Sequence, residues 1–245
     1  MAKQLYDYWF VQFDFPDANG KPYKSSGGKM VWNEKLKREI PVGWEVKNLG
    51  SVAEIVNGAT PSTADEENYG GDIVWITPKD LSDQKCKFIY FGQRTITEKG
   101  YKSCSTSILP VGTVLMSSRA PIGLVSIAKT EVCTNQGFKS IVPNDMSLSL
   151  FIYYYIKQNV LRIQSLGVGT TFMEVSKDKM EKFPILIPKD KLLAEWTDKV
   201  SAFSDQQFEM VKQLNDLTAQ REYLLPLLMN GQVSVKQLNS DLSHD

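Results

Sequence analysis

Two carboxylates and a lysine are the first residues whose types and spacing could do chemistry. Pro16-Asp17 is followed by Glu45-Val46-Lys47, formally the PD…ExK arrangement of metal-dependent nucleases, in which carboxylates hold Mg²⁺ and a lysine helps activate water. Glu45 and Lys47 would share one face of a strand. Asp17, however, lies beside Asn19-Gly20, where turn formation accounts for it, and so short a pattern recurs by chance. A nuclease built on Asp17, Glu45 and Lys47 is therefore the minor reading. The other enzyme signatures are missing: no Gly-rich dinucleotide fingerprint, no GxxxxGK(S/T) phosphate loop, no GxSxG elbow. The single histidine, His244, is one residue from the C-terminus, which removes histidine catalysis. Cys86, Cys104 and Cys133 form no CxxC pair, so neither a disulfide framework nor a zinc site is expected. The expectation is a protein without catalytic residues, metal or cofactor of its own.

A second set of residues suits recognition. Gly58-Ala59-Thr60-Pro61, Thr77-Pro78-Lys79-Asp80, Ser117-Ser118-Arg119-Ala120-Pro121, Thr134-Asn135-Gln136-Gly137 and Gly169-Thr170-Thr171 each follow a strand-like run. They place hydroxyls, amides, an arginine and exposed backbone at loop tips, the groups that contact DNA. Arginine can bind guanine bidentately, and asparagine or glutamine can bind adenine. Gly-Thr-Thr offers N–H groups and hydroxyls to a phosphate. Taken singly, each loop reads equally as turn chemistry, and Asn135-Gln136-Gly137 in particular could simply fix its loop.

The elements that must carry these loops are short. Stretches such as DIVWIT, TVLMSS, GLVSIA and KSIVP are separated by Gly, Pro and Asn, with one helical segment at SLSLFIYYYIKQNVLRIQSL. This predicts an α+β fold, one mixed α/β domain over 40–188 entered at Ile40 and closed by the strand FPILIP. Residues 1–39 read as a brief aromatic element and an exposed connector. From Leu193 the steps alternate between three and four residues through Leu193, Trp196, Val200, Phe203, Gln207, Met210, Leu214, Leu217, Arg221 and Leu224. That is a heptad seam about 45 Å long at 1.5 Å per residue, on a helix over 189–230 that Pro226 and then Gly231 end, before a tail over 231–245. A helix this long outruns the domain before it, so part of the seam calls for a partner, and polar Gln207 and Arg221 at a positions would set register.

Net charge is zero, with 28 basic and 28 acidic residues, which argues against coating nucleic acid by bulk electrostatics. The distribution is uneven. Residues 72–142 carry nine basic and five acidic residues, +4, whereas 190–225 carry four basic and seven acidic, −3. The middle suits a polyanion and the C-terminal helix does not. Neither a long apolar run nor a signal-peptide pattern is present, so a cytoplasmic protein without membrane contact is expected.

The joint order of these words resembles the DNA-specificity (S) subunits of type I restriction-modification systems over nearly the whole chain. The words are LYDYWFVQFDFP, GKPYKSSGGKM, LKREIPVGWE, VNGATPS, IVWITPKDLS, LPVGTVLMSSRAPIGLVSIA, CTNQGFKSI, GVGTTFMEVSKDKMEKFPILIP and QREYLLPLLMNGQV. The resemblance implies a non-catalytic module that reads double-stranded DNA. Family members usually carry two target-recognition domains and two conserved helices; this sequence has one of each, a half-length form. It implies modification (M) subunits that bind S-adenosylmethionine and methylate adenine, and restriction (R) subunits that use ATP and Mg²⁺. It also implies that the helix lacks an intramolecular mate, hence a homodimer. On this reading the DNA-contact candidates are Thr77, Lys79, Ser118, Arg119, Asn135, Gln136, Thr170, Thr171 and Lys177. A helical adaptor that no longer reads DNA is a further alternative.

Overall fold

The computed structural model describes residues 1–168 and 173–232. Its contacts divide the chain into a compact unit over Met1–Val200 and a second unit from Ser201 onward.

Within the first unit the recognition words fall on two small sheets. The larger has five strands in the order Ala53–Asn57, Lys139–Pro143, Val114–Met116, Val125–Ala128 and Phe88–Ile89, antiparallel except for the last pair. The smaller pairs Tyr69–Ile76 with Cys133–Thr134 in parallel and with Arg94–Ile96 antiparallel. Val114, Leu115 and Met116 are all buried, as are all four residues of Val125–Ala128. Strands covered on both faces read as continuous apolar runs, not as an alternation. Ile76, Leu81, Leu115, Val132 and Phe138 make one core cluster between these strands. The FPILIP strand, Pro184–Ile187, pairs antiparallel with Glu45–Asn48.

The helix Ser149–Gln158 is apolar nearly all round and accordingly buried from Phe151 through Ile156, as such a helix must be. Its aromatic side forms a second core. Tyr6, Phe10, Phe151, Tyr154 and Trp196 pack with ring centroids 5.1 to 6.0 Å apart, mostly tilted or edge-on. The brief aromatic element at the start is part of this core. Tyr6, Trp9, Phe10, Phe13 and Phe15 are all buried. Tyr6 ends the helix Ala2–Tyr6, Trp9 and Phe10 lie on the π-helical turn Asp7–Val11, and Phe13, with φ of +68°, turns inward after it.

The long helix spans Asp190–Met229. Its first three seam residues, Leu193, Trp196 and Val200, are buried in the first unit's own core. They are not available to a partner, which corrects the expectation of a free seam from Leu193. Three turns are absorbed because Trp196 completes the aromatic cluster. In the second unit Phe203, Met210, Leu214 and Leu217 are exposed. Pro226 does not end the helix: it lies inside it. Its missing donor would face the carbonyl of Glu222, and both residues are exposed, so solvent can take that carbonyl. Gly231 does end it. With φ of +65°, its N–H donates to the Leu228 carbonyl at 3.1 Å while that of Gln232 donates to the Leu227 carbonyl at 2.9 Å. These two bonds form a Schellman cap.

Candidate nucleic-acid interface

Four polar loops, distant in sequence, meet around Thr134–Gly137. The turn hangs from the small sheet by a bond from the Asn135 N–H to the Ile76 carbonyl, 3.1 Å. The N–H of Ala59 donates to the Thr134 carbonyl at 2.9 Å, and the Thr60 hydroxyl donates to Gln136 Oε1. Gly58 allows this approach, since a Cβ there would overlap the carbonyl oxygens of Asn135 and Thr134. On the other side the Ser118 N–H donates to the Gly137 carbonyl at 2.8 Å. The Val175 N–H donates to the Ser118 carbonyl at 3.0 Å.

The Thr77-Pro78-Lys79-Asp80 loop opens the helix Pro78–Gln84. Asp80 is buried, and its carboxylate accepts from the Thr77 N–H at 2.7 Å, the Thr77 hydroxyl at 2.6 Å and the Gln93 N–H at 2.7 Å. Charge-assisted bonds of this kind are strong. They hold Thr77 as the cap and leave Lys79 exposed on the first turn.

A three-residue charge cluster holds the arginine loop. Arg119 Nε donates to Glu174 Oε2 at 2.9 Å, and Lys139 Nζ donates to Glu174 Oε1 at 2.8 Å. Lys139 is buried in its strand, whereas the Arg119 side chain is 46% exposed. Partial burial would raise the Glu174 pKa, but the hydrogen bonds and charges of Lys139 and Arg119 outweigh it and hold the carboxyl below its ordinary value. Glu174 therefore stays ionised and fixes the angle of Arg119 while leaving its remaining guanidinium N–H groups unspent.

The predicted contact residues divide accordingly. Lys79, Arg119 and Gln136 are exposed in the converging loops. Ser118 is fully buried, with its hydroxyl bonded to the Gly137 carbonyl at 3.2 Å, which corrects its reading as a loop-tip contact: the strand ladder continues through it by backbone bonds and draws its side chain inward. Asn135 Oδ1 accepts from the Gly137 N–H at 2.9 Å, so it serves its own turn, one of the two roles left open for it. Lys177 starts the helix Lys177–Glu181 and pairs with Glu181 at 3.7 Å. Thr170 and Thr171 lie outside the described residues. Sequence reasoning missed Glu174 and Lys139. A lysine within the apolar run FKSIVP was the available signal, because a buried ammonium requires a counterion.

The residues of the nuclease pattern are engaged with near neighbours in sequence. Asp17 Oδ1 accepts from the N–H groups of Asn19 and Lys21 at 2.8 and 2.9 Å, and Glu45 pairs with Lys47 at 3.1 Å. Among the described residues no group of three or more His, Cys, Asp or Glu could hold a metal ion, and no helix is long and apolar enough to cross a membrane.

Comparison with known proteins places this arrangement. Residues 41–220 match the model of the type I restriction modification DNA specificity domain. The type I restriction enzyme MjaIX specificity subunit of Methanocaldococcus jannaschii is 39% identical over 183 residues, 72% of this chain and 42% of that protein. The HindI specificity subunit of Haemophilus influenzae is 29% identical over 79% of this chain and 42% of that protein. The chain thus spans well under half the length of these curated relatives. Among solved structures, the HsdS subunit from Thermoanaerobacter tengcongensis shares the fold, with TM-score 0.51 and 21% identity over 92% of this chain and 48% of that one.

Proposed function

Because the chain belongs to the family of type I restriction modification DNA specificity domains, we propose that it reads one half of a bipartite target in double-stranded DNA and directs adenine methylation and restriction by partner subunits. The observation that carries the proposal is the convergence of four polar loops on Thr134–Gly137, with Arg119 held in place by Glu174. In this reading Arg119 offers its remaining N–H groups to a guanine edge, the commonest specific contact. Gln136, whose oxygen is occupied by Thr60, offers its amide N–H groups. Lys79 binds a phosphate, which positions the module without reading sequence. Thr77, Ser118 and Asn135 shape this surface from beneath, and Lys177 flanks it.

The long helix supplies assembly. Phe203, Met210, Leu214 and Leu217 are large apolar side chains left in solvent, and with Gln207, Arg221 and Leu224 they continue the heptad pattern that a second helix would cover. A second copy of this chain would make the pair two-fold symmetric and its target palindromic, two half-sites with an unread spacer. M subunits docked on the helices would bring S-adenosylmethionine, and R subunits ATP and Mg²⁺; this chain would bind none of them, and the complex would work in the cytoplasm.

Co-expression with the cognate M subunit, light scattering, and mapping of methylated adenines on random-sequence DNA test this. Two copies each of this chain and the M subunit, methylating a bipartite palindrome, are expected. A complex with one copy of this chain would overturn the dimer, and a stable complex without sequence-selective methylation would overturn DNA reading.

A further inference from the structure

Away from the recognition loops, Arg38 and Arg162 line one cavity of about 280 Å³ together with Tyr155, Gln158 and Asn159. None of the described residues lining it is an Asp or Glu, and neither arginine forms an ion pair among the described residues. Both guanidiniums are nevertheless held. Arg38 donates from Nη2 to the Val11 carbonyl at 3.0 Å and lies 4.5 Å from the centroid of the Phe13 ring. Arg162 donates from Nη1 to Asn159 Oδ1 at 3.2 Å and lies 5.6 Å from that of Phe183. Each neutral bond uses one of five donors, so several N–H groups of each exposed guanidinium remain free to bind a ligand in the cavity. Burial lowers the Arg38 pKa, Tyr155 and Tyr6 partly offset this, and repulsion from Arg162 lowers it further. An anion in the cavity would relieve that repulsion.

We propose that this cavity is an oxyanion site in which the Arg38 and Arg162 guanidiniums together hold a phosphate group. One planar fork satisfies a carboxylate; two separate forks suit a tetrahedral group with acceptor oxygens on several sides. The phosphate is either free or part of a DNA backbone. The phosphate titration is independent of the recognition loops, so the site stands or falls apart from them; only the backbone-phosphate outcome rests on the DNA reading proposed above.

The experiment is calorimetric titration of the full chain with inorganic phosphate against chloride at matched ionic strength. Saturable binding on the order of millimolar is expected, weakened about tenfold or more in Arg162→Gln, partly restored in Arg162→Lys, and unchanged in Lys102→Ala, an exposed lysine paired with Glu98. Gln158→Glu, which sets a carboxylate at the cavity wall, abolishes it while leaving the circular dichroism spectrum as in the parent. A salt slope of DNA binding that falls by about 1 in Arg162→Gln identifies the occupant as a backbone phosphate; an unchanged slope with lost phosphate binding identifies the free ion. Absence of saturable phosphate binding by the parent chain, or binding that survives both Arg162→Gln and Gln158→Glu, overturns the site.

Discussion

Glu174→Gln removes the carboxylate that neutralises both Arg119 and Lys139 while keeping the side-chain shape. The Lys139 side chain is only 6% exposed, so its ammonium would be left buried with the Ser118 hydroxyl, at 3.4 Å, as a weak partner. Breaking a buried pair by deleting one member costs about 3–5 kcal/mol. The Glu174 side chain is 32% exposed, and solvent screening reduces this to about 2–3 kcal/mol. The exposed Arg119 arm adds about 0.5 kcal/mol at most. For a unit of this size that is a fall in melting temperature of roughly 5–10 °C. Urea denaturation at pH 7 is the assay. Lys139→Met in the Glu174→Gln background should restore most of the loss, because the buried charge is then gone. Since folding lowers the Glu174 pKa, its contribution is complete above the unfolded-state value and is lost as pH falls through the folded one. The acid limb of the stability profile should therefore be shallower in Glu174→Gln than in the parent. A loss under about 0.5 kcal/mol, or no recovery with Lys139→Met, would refute the reasoning.

Arg119→Ala should weaken specific DNA binding by about 1–3 kcal/mol and relax the preference at one base position, whereas Lys79→Ala should weaken all sequences alike and lower the salt slope by about 1; electrophoretic titration at several salt concentrations separates the two. Gly58→Ala should destabilise by about 2 kcal/mol or more through backbone overlap with Thr134 and Asn135, read by thermal melting, and should blunt DNA selectivity with it. Trp196→Ala should cost about 3–5 kcal/mol as a core truncation. Leu214→Ala, by contrast, should leave the folding of the isolated chain within about 0.5 kcal/mol and weaken self-association in sedimentation equilibrium.

The sequence by itself determined the alphabet of the fold and the family. Apolar runs bounded by Gly and Pro located the strands, the heptad steps located the long helix, and the ordered words around the TPKD, SSRAP and TNQG loops identified the kind of molecule. These signals are local, because strand length, helical period and turn chemistry act between neighbours in sequence. What only the tertiary structure decided is which side chains the fold spends on itself. Ser118 and Arg119 are adjacent and both polar, yet one is buried on the Gly137 carbonyl and the other faces solvent. Trp196 and Leu217 occupy equivalent heptad positions, but one completes an aromatic core with Tyr6 and Phe10 and the other is exposed. Glu174 gains its role only because Lys139 and Arg119 arrive from 35 and 55 residues away. Burial and ion pairing at such separations depend on how the strands are ordered in the sheets, and a linear pattern carries no record of that order.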